Sequence, residues 1–148
     1  MTPLIFFLLV LALPLTGLLA QHLQSRERRA LEMLARDKNL HFACDDRFKI
    51  APKVAELLPT PGAADVRVYD VMYGKDGARY HFVFTVEWTE GVVRWKRRVR
   101  RVASFSEEKE NTTEQARMHL RLSGDEGKRL KQYQSLYESC CGSLKAGA

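Results

Sequence analysis

Four cations, Arg94, Lys96, Arg98 and Arg100, recur at every second position of the segment Val92–Arg101. In a β-strand, alternate side chains share a face, so all four would project together at intervals of ~6.6–7 Å. Such a ladder suits a polyanion. Nucleic acid would also need aromatic rings on which bases stack. In the register derived below the nearby aromatics face the other way, so nucleic acid is the lesser alternative. Anionic lipid headgroups or an acidic protein are the favoured partners, and at a bilayer each cation contributes about 1 kcal/mol. A solvated face, partly neutralised by Glu87 and Asp70 on adjacent strands, is the reading that needs no partner.

A second constellation comes from the same register, which puts Asp70, His81 and Arg100 in one row across three strands. An Asp–His pair orients an imidazole for proton transfer. No serine or cysteine falls beside this row, and a flat sheet offers no cleft. The expectation is a cross-strand polar ladder. No catalytic residue is assigned, and the chain reads as a non-enzyme. The three cysteines, Cys44, Cys140 and Cys141, are odd in number, and two are adjacent, a poor basis for a disulfide framework. Cys44-Asp45-Asp46 with Cys140 and Cys141 lacks metal-ligand spacing, so neither a metal nor a cofactor is expected. Neither a phosphate-binding glycine loop nor a nucleophile elbow occurs.

Charge location supports the emphasis on one segment. The 148 residues carry a net charge of +6, and Gly91–Arg101 holds six cations and no acid. The other 18 Lys and Arg are matched by 18 Asp and Glu. The basic character is therefore a local patch.

These residues must be held by a fold, and the sequence divides readily. Thr2–Ala20 has no charge, and Leu4–Leu13 is almost wholly aliphatic or aromatic. As a helix it would reach about 27–29 Å, enough for a hydrocarbon core. Residues 1–20 are expected to be a transmembrane anchor, contacting the membrane through residues 3–20, with cleavage as a signal peptide after Ala20 the alternative. Arg26, Arg28, Arg29, Arg36 and Lys38 follow, so the positive-inside rule places the N-terminus outside and the soluble domain in the cytoplasm. Export is the alternative localisation. Residues 21–38 read as a stalk helix with Leu23, Ala30, Leu31 and Leu34 on one side.

Residues 39–141 read as an α+β domain, and residues 142–148 as a flexible tail. Leu40–Cys44 is a short strand candidate, and Pro52 opens a helix to about Leu58. Val66–Tyr73, Ala78–Thr89 and Val92–Phe105 alternate as three strands, with turns at Gly74–Gly77 and Glu90-Gly91. Pairing Thr89 with Val92 sets Trp88 against Val93, Val86 against Trp95 and Phe82 against Val99. Pairing Tyr73 with Ala78 sets Val71 against Tyr80 and Tyr69 against Phe82. All these pairs fall on one apolar face, which Arg97 and Arg101 interrupt. Arg117–Leu122 suits a fourth strand, and Ser123 with Glu126 matches a capping box. A final helix offers Leu130, Tyr133, Leu136 and Tyr137 to the aromatic face. The architecture expected is a three- or four-stranded antiparallel meander with that C-terminal helix packed on one face. The function expected is a single-pass, membrane-anchored interaction or scaffold domain.

Overall fold

The computed structural model describes the backbone of residues 2–77, 79–92, 95–108, 117–124 and 127–141, and the side chains of these from residue 17 onward, apart from Glu108, Arg117 and Cys141. Two compact units divide between Ala30 and Leu31. The first consists of the leading turns of helix α1 (Thr2–Asp37). No helix among the described residues is long and apolar enough to cross a membrane. The side chains of Leu4–Leu13 lie outside the described residues, as do Asn111-Thr112-Thr113, a glycosylation sequon in the sequence, and the tail from Gly142.

The second unit is α+β. Five strands, β1 (His41–Asp45), β2 (Ala64–Asp76), β3 (Arg79–Glu90), β4 (Arg97–Glu108) and β5 (Arg117–Leu122), form an antiparallel sheet in sequential order. The two helices wholly within it are α2 (Ile50–Leu57) and α3 (Arg129–Cys141). Both faces of the sheet are covered, which accounts for β3 being buried at every position from His81 to Trp88.

On one face Ile50 and Val54 of α2 pack on Val68, Val71, Phe82, Phe84, Val86, Trp88, Val99, Ala103 and Phe105. Asp46 fixes the start of α2, since its carboxylate accepts the N–H groups of Ile50 (2.9 Å) and Ala51 (2.8 Å). Those are two of the orphan donors that every helix start leaves. Pro52 sits third in this helix rather than first, still within the turn where its missing N–H costs nothing. On the other face Tyr133 and Leu136 of α3 join Met72, Val83 and Val102, together with Leu31 and Ala35 from the end of α1. The last turns of α1 therefore belong to the core of this unit.

Three expectations change. The C-terminal helix packs on the face opposite the Phe82–Trp88 aromatics, because α2 occupies theirs. The sheet has five strands, the short Leu40–Cys44 candidate being its edge strand β1. The registers also shift: Thr89 faces Arg98 rather than Val92, and Tyr73 faces Phe82 rather than Ala78. Each shift is an even number of residues, so the inward set of β3 and β4 is preserved. The cause is loop length. The chain leaves the ladder at Glu90 and rejoins it at Arg97, and β2 runs on to Asp76 before turning.

β2 also carries two bulges, at Ala64/Arg67 and at Tyr69/Met72. Each contains an aspartate in the left-handed region, Asp65 (φ 52°) and Asp70 (φ 52°). Aspartate is one of the few side chains that accept this conformation cheaply. The second bulge reverses the alternation, so Tyr69 pairs with Thr85 on the α3 face while Val71 and Tyr73 point to the α2 face.

Candidate functional site

The β3–β4 connection is the most unusual surface among the described residues. Gly91 (φ +111°) begins it, and a Cβ there would collide with the Trp95 carbonyl oxygen. The Trp95 N–H donates to the Val92 carbonyl (2.7 Å), closing a turn. Both side chains point to water: Trp95 is 85% exposed and Val92 79%. Lys96, Arg97, Arg98 and Arg100 follow, all exposed. An apolar residue and an indole held out at a hairpin tip among cations are costly for solubility alone.

The alternating ladder is only partly retained. Arg94 lies outside the described residues, Lys96 is in the connection, and Arg98 and Arg100 share a face of β4. Arg98 and Arg100 both ion-pair with the buried Glu87, Arg98 through its Nε and Arg100 at 3.3 Å. Asp70, His81 and Arg100 do not form a row. Arg100 lies opposite Glu87, His81 lies between Gly74 and Ser106, and Asp70 sits in the second bulge of β2.

Asp70 is fully buried, at 0% exposure, and its partner comes from α3. Arg129 Nη2 donates to Asp70 Oδ2 (2.7 Å) and to Thr85 Oγ1 (2.8 Å). The Tyr133 hydroxyl donates to the Asp70 carbonyl (2.7 Å) and lies 2.8 Å from Thr85 Oγ1. Beside this set, the Tyr69 hydroxyl donates to Glu87 (3.1 Å), with the guanidinium carbons of Arg100 and Arg129 5.8 and 5.9 Å from its ring centre. Burial, reinforced by the Glu87 charge and hydrogen bond against the opposing Arg100 and Arg129, pushes the Tyr69 phenol up to about 12. Burial likewise raises Tyr133. Burial works against the Arg129 charge, yet the hydrogen bond to Asp70 and the charges around it leave the guanidinium held more firmly protonated than usual. The network fixes α3 to the sheet.

A polar cavity of about 250 Å³ lies at the far end of the same face. Arg79 and His81 of β3, Ser104 and Ser106 of β4, and His119 and Arg121 of β5 line it, together with Ser139 and Cys140 from the last turn of α3. The register aligns His81, Ser106 and His119 across three strands, and sets Ser104 beside Arg121. His81 is only 8% exposed, and neither ring nitrogen has a hydrogen-bond partner among the described residues. An unsatisfied buried polar group costs about 1–3 kcal/mol, which makes this imidazole notable. Burial, followed by the Arg79 charge and opposed by Asp76, lowers its pKa from the ordinary 6.5. The Cys140 thiol donates to Ser104 Oγ (3.1 Å), and Cys44 is free and exposed. Among the described residues no group of His, Cys, Asp or Glu is placed to hold a metal ion.

A second cavity, about 390 Å³, lies on the α2 face between Phe48, Tyr80, Phe82 and Phe105, with the Lys53–Glu107 ion pair (2.9 Å) on its wall.

Sequence reasoning located His81 and the basic segment and weighed Cys140 as a metal ligand, but missed Arg129, Thr85 and the cavity-lining Ser104 and His119. One signal was available: Asp70 stands alone in an otherwise apolar run, and a buried carboxylate requires a cation. The comparisons add no identification, since no family model, curated protein or solved structure matches the chain.

Proposed function

We propose that this protein is a single-pass, membrane-anchored interaction module. Residues 3–20 are the anchor, and the β3–β4 hairpin tip docks on the anionic leaflet on the cytoplasmic side. The observation that carries the reading is Trp95, 85% exposed and followed directly by Lys96, Arg97 and Arg98. Indole rings favour the headgroup level of a bilayer. Cations at that level contribute about 1 kcal/mol each against anionic lipid. Arg98 and Arg100 contribute less than that, because Glu87 already neutralises part of their charge. The tip therefore adds a few kcal/mol by itself, too little for stable binding from solution. An anchor in the same chain changes this, because it converts the second contact into an intramolecular one.

The test uses the full chain in nanodiscs of neutral or anionic lipid, with acrylamide quenching of tryptophan fluorescence as the readout. Trp88 is buried, so quenching reports Trp95. Anionic lipid is expected to shield Trp95, high salt to expose it again, and Lys96→Ala with Arg97→Ala to weaken the shielding. Equal quenching in neutral and anionic discs would overturn the proposal. A reporter fused after Ala148 tests the orientation separately, with exported activity contradicting the cytoplasmic assignment.

A further inference from the structure

We propose that the cavity between the β3–β5 sheet end and the last turn of α3 binds a soluble phosphate-class oxyanion. His81, Ser104, Ser106, His119 and Arg121 are the residues that recognise it. Among the described residues, the side chains lining this cavity include cations, hydroxyls and imidazoles and no carboxylate. Ser104 Oγ already accepts the Cys140 thiol, so its own proton is directed elsewhere. Ser139 is already committed, donating to the Leu136 carbonyl. Arg121 is exposed at the rim and adds a guanidinium, the side chain best matched to phosphate oxygens.

His81 narrows the class. A neutral imidazole presents one N–H donor and one bare acceptor nitrogen. Sulfate carries no proton near neutral pH and can only accept. Hydrogen phosphate both accepts and donates, so it matches either nitrogen. The carbonyl end of α3 opposes any anion, with about half a negative charge, and the guanidinium at the rim outweighs it. A metal is the competing occupant for a site with two histidines and a cysteine, but these groups are not arranged to share one ion.

The source of the phosphate follows from placement. His81 and Glu90 lie nine positions apart on β3, roughly 30 Å in an extended strand. The cavity and the hairpin tip are thus at opposite ends of the sheet. A soluble anion reaches the cavity whatever the tip contacts.

The experiment is a titration of the full chain, in non-ionic detergent, with inorganic phosphate and with sulfate, followed by NMR of histidine rings and backbone amides. Saturable shifts at His81, Ser104, Ser106 and His119 are expected in the low-millimolar range, with phosphate binding several-fold tighter than sulfate. Arg121→Ala, a surface change that spares the core, is expected to weaken phosphate about tenfold without altering the rest of the spectrum. Absence of saturable shifts at these residues would overturn the proposal, as would unchanged affinity in Arg121→Ala or equal affinity for sulfate. Vesicles containing phosphatidate that shift these signals, where inorganic phosphate fails to, would refute the soluble-anion assignment.

Discussion

Arg129→Met isolates the buried ion pair that ties α3 to the sheet. The substitution keeps an unbranched apolar stem but removes the donor 2.7 Å from Asp70 and 2.8 Å from Thr85. Asp70 has no exposure, so its carboxylate cannot recover the loss from water. Breaking a buried pair from one side costs about 3–5 kcal/mol, mostly from the charge left behind. A domain of this size has about 5–15 kcal/mol in total, so about a fifth or more of the stability is at stake. With a urea m-value of about 2 kcal/mol/M, the unfolding midpoint should fall by about 2 M. The double variant Asp70→Asn with Arg129→Met supplies the control. Asparagine tolerates the left-handed backbone at position 70 and leaves no charge to strand, so the double variant should be more stable than Arg129→Met alone. A loss below about 1 kcal/mol for Arg129→Met, or strictly additive losses in the pair, would refute the view that a stranded charge dominates.

Three further outcomes follow from other parts of the fold. Gly91→Ala forces a Cβ into the Trp95 carbonyl at a positive φ, so it should cost more than about 1 kcal/mol and shift the Trp95 and Lys96 amide signals while leaving β1 and β5 unchanged. His81 has a lowered pKa, so the folded state favours its neutral form. Its contribution is fully present above 6.5 and is lost as pH falls through that value toward the depressed one, and urea midpoints at several pH values should show a slope that His81→Gln flattens. Tyr69 behaves in the opposite sense. With its phenol at about 12 against an ordinary 10.0, stability is intact below pH 10 and declines as pH rises toward 12, and Tyr69→Phe should make that alkaline limb shallower, with the raised Tyr133 supplying the remainder.

Strand location was legible in the sequence wherever side chains alternate against one buried face. Arg117–Leu122 is the clearest case, its bounds agreeing with β5. Face assignment on β3 and β4 survived the wrong register because the error was even. The registers themselves were not legible, since Glu90-Gly91 resembles a two-residue turn and nothing in hydropathy reveals that the ladder resumes only at Arg97. The bulges were equally hidden: Asp65 and Asp70 look like ordinary acids until their backbone is seen. That concealed the switch of Tyr69 to the other face. The second covered face was misread for a related reason. Thr85, Glu87 and His81 look solvent-facing by residue type, yet all three are buried, two of them because partners from β4 and α3 satisfy them. Of the candidate residues, His81 was visible as an isolated imidazole, whereas its cavity needed β5 and α3, whose positions no local pattern supplies.

The sequential order of the sheet has a consequence for how the chain assembles. Every strand pairs with its neighbour in sequence, so the sheet can zip hairpin by hairpin with short loop closures. The Arg129–Asp70 pair, by contrast, joins residues 59 apart, and the Tyr133–Asp70 bond joins residues 63 apart. During synthesis β2 emerges from the ribosome well before α3 does. Until that helix arrives, the bulge at Asp70 and the polar row around Thr85 have no lid. The end of α1 covers part of that face through Leu31 and Ala35, and the C-terminal helix closes the rest.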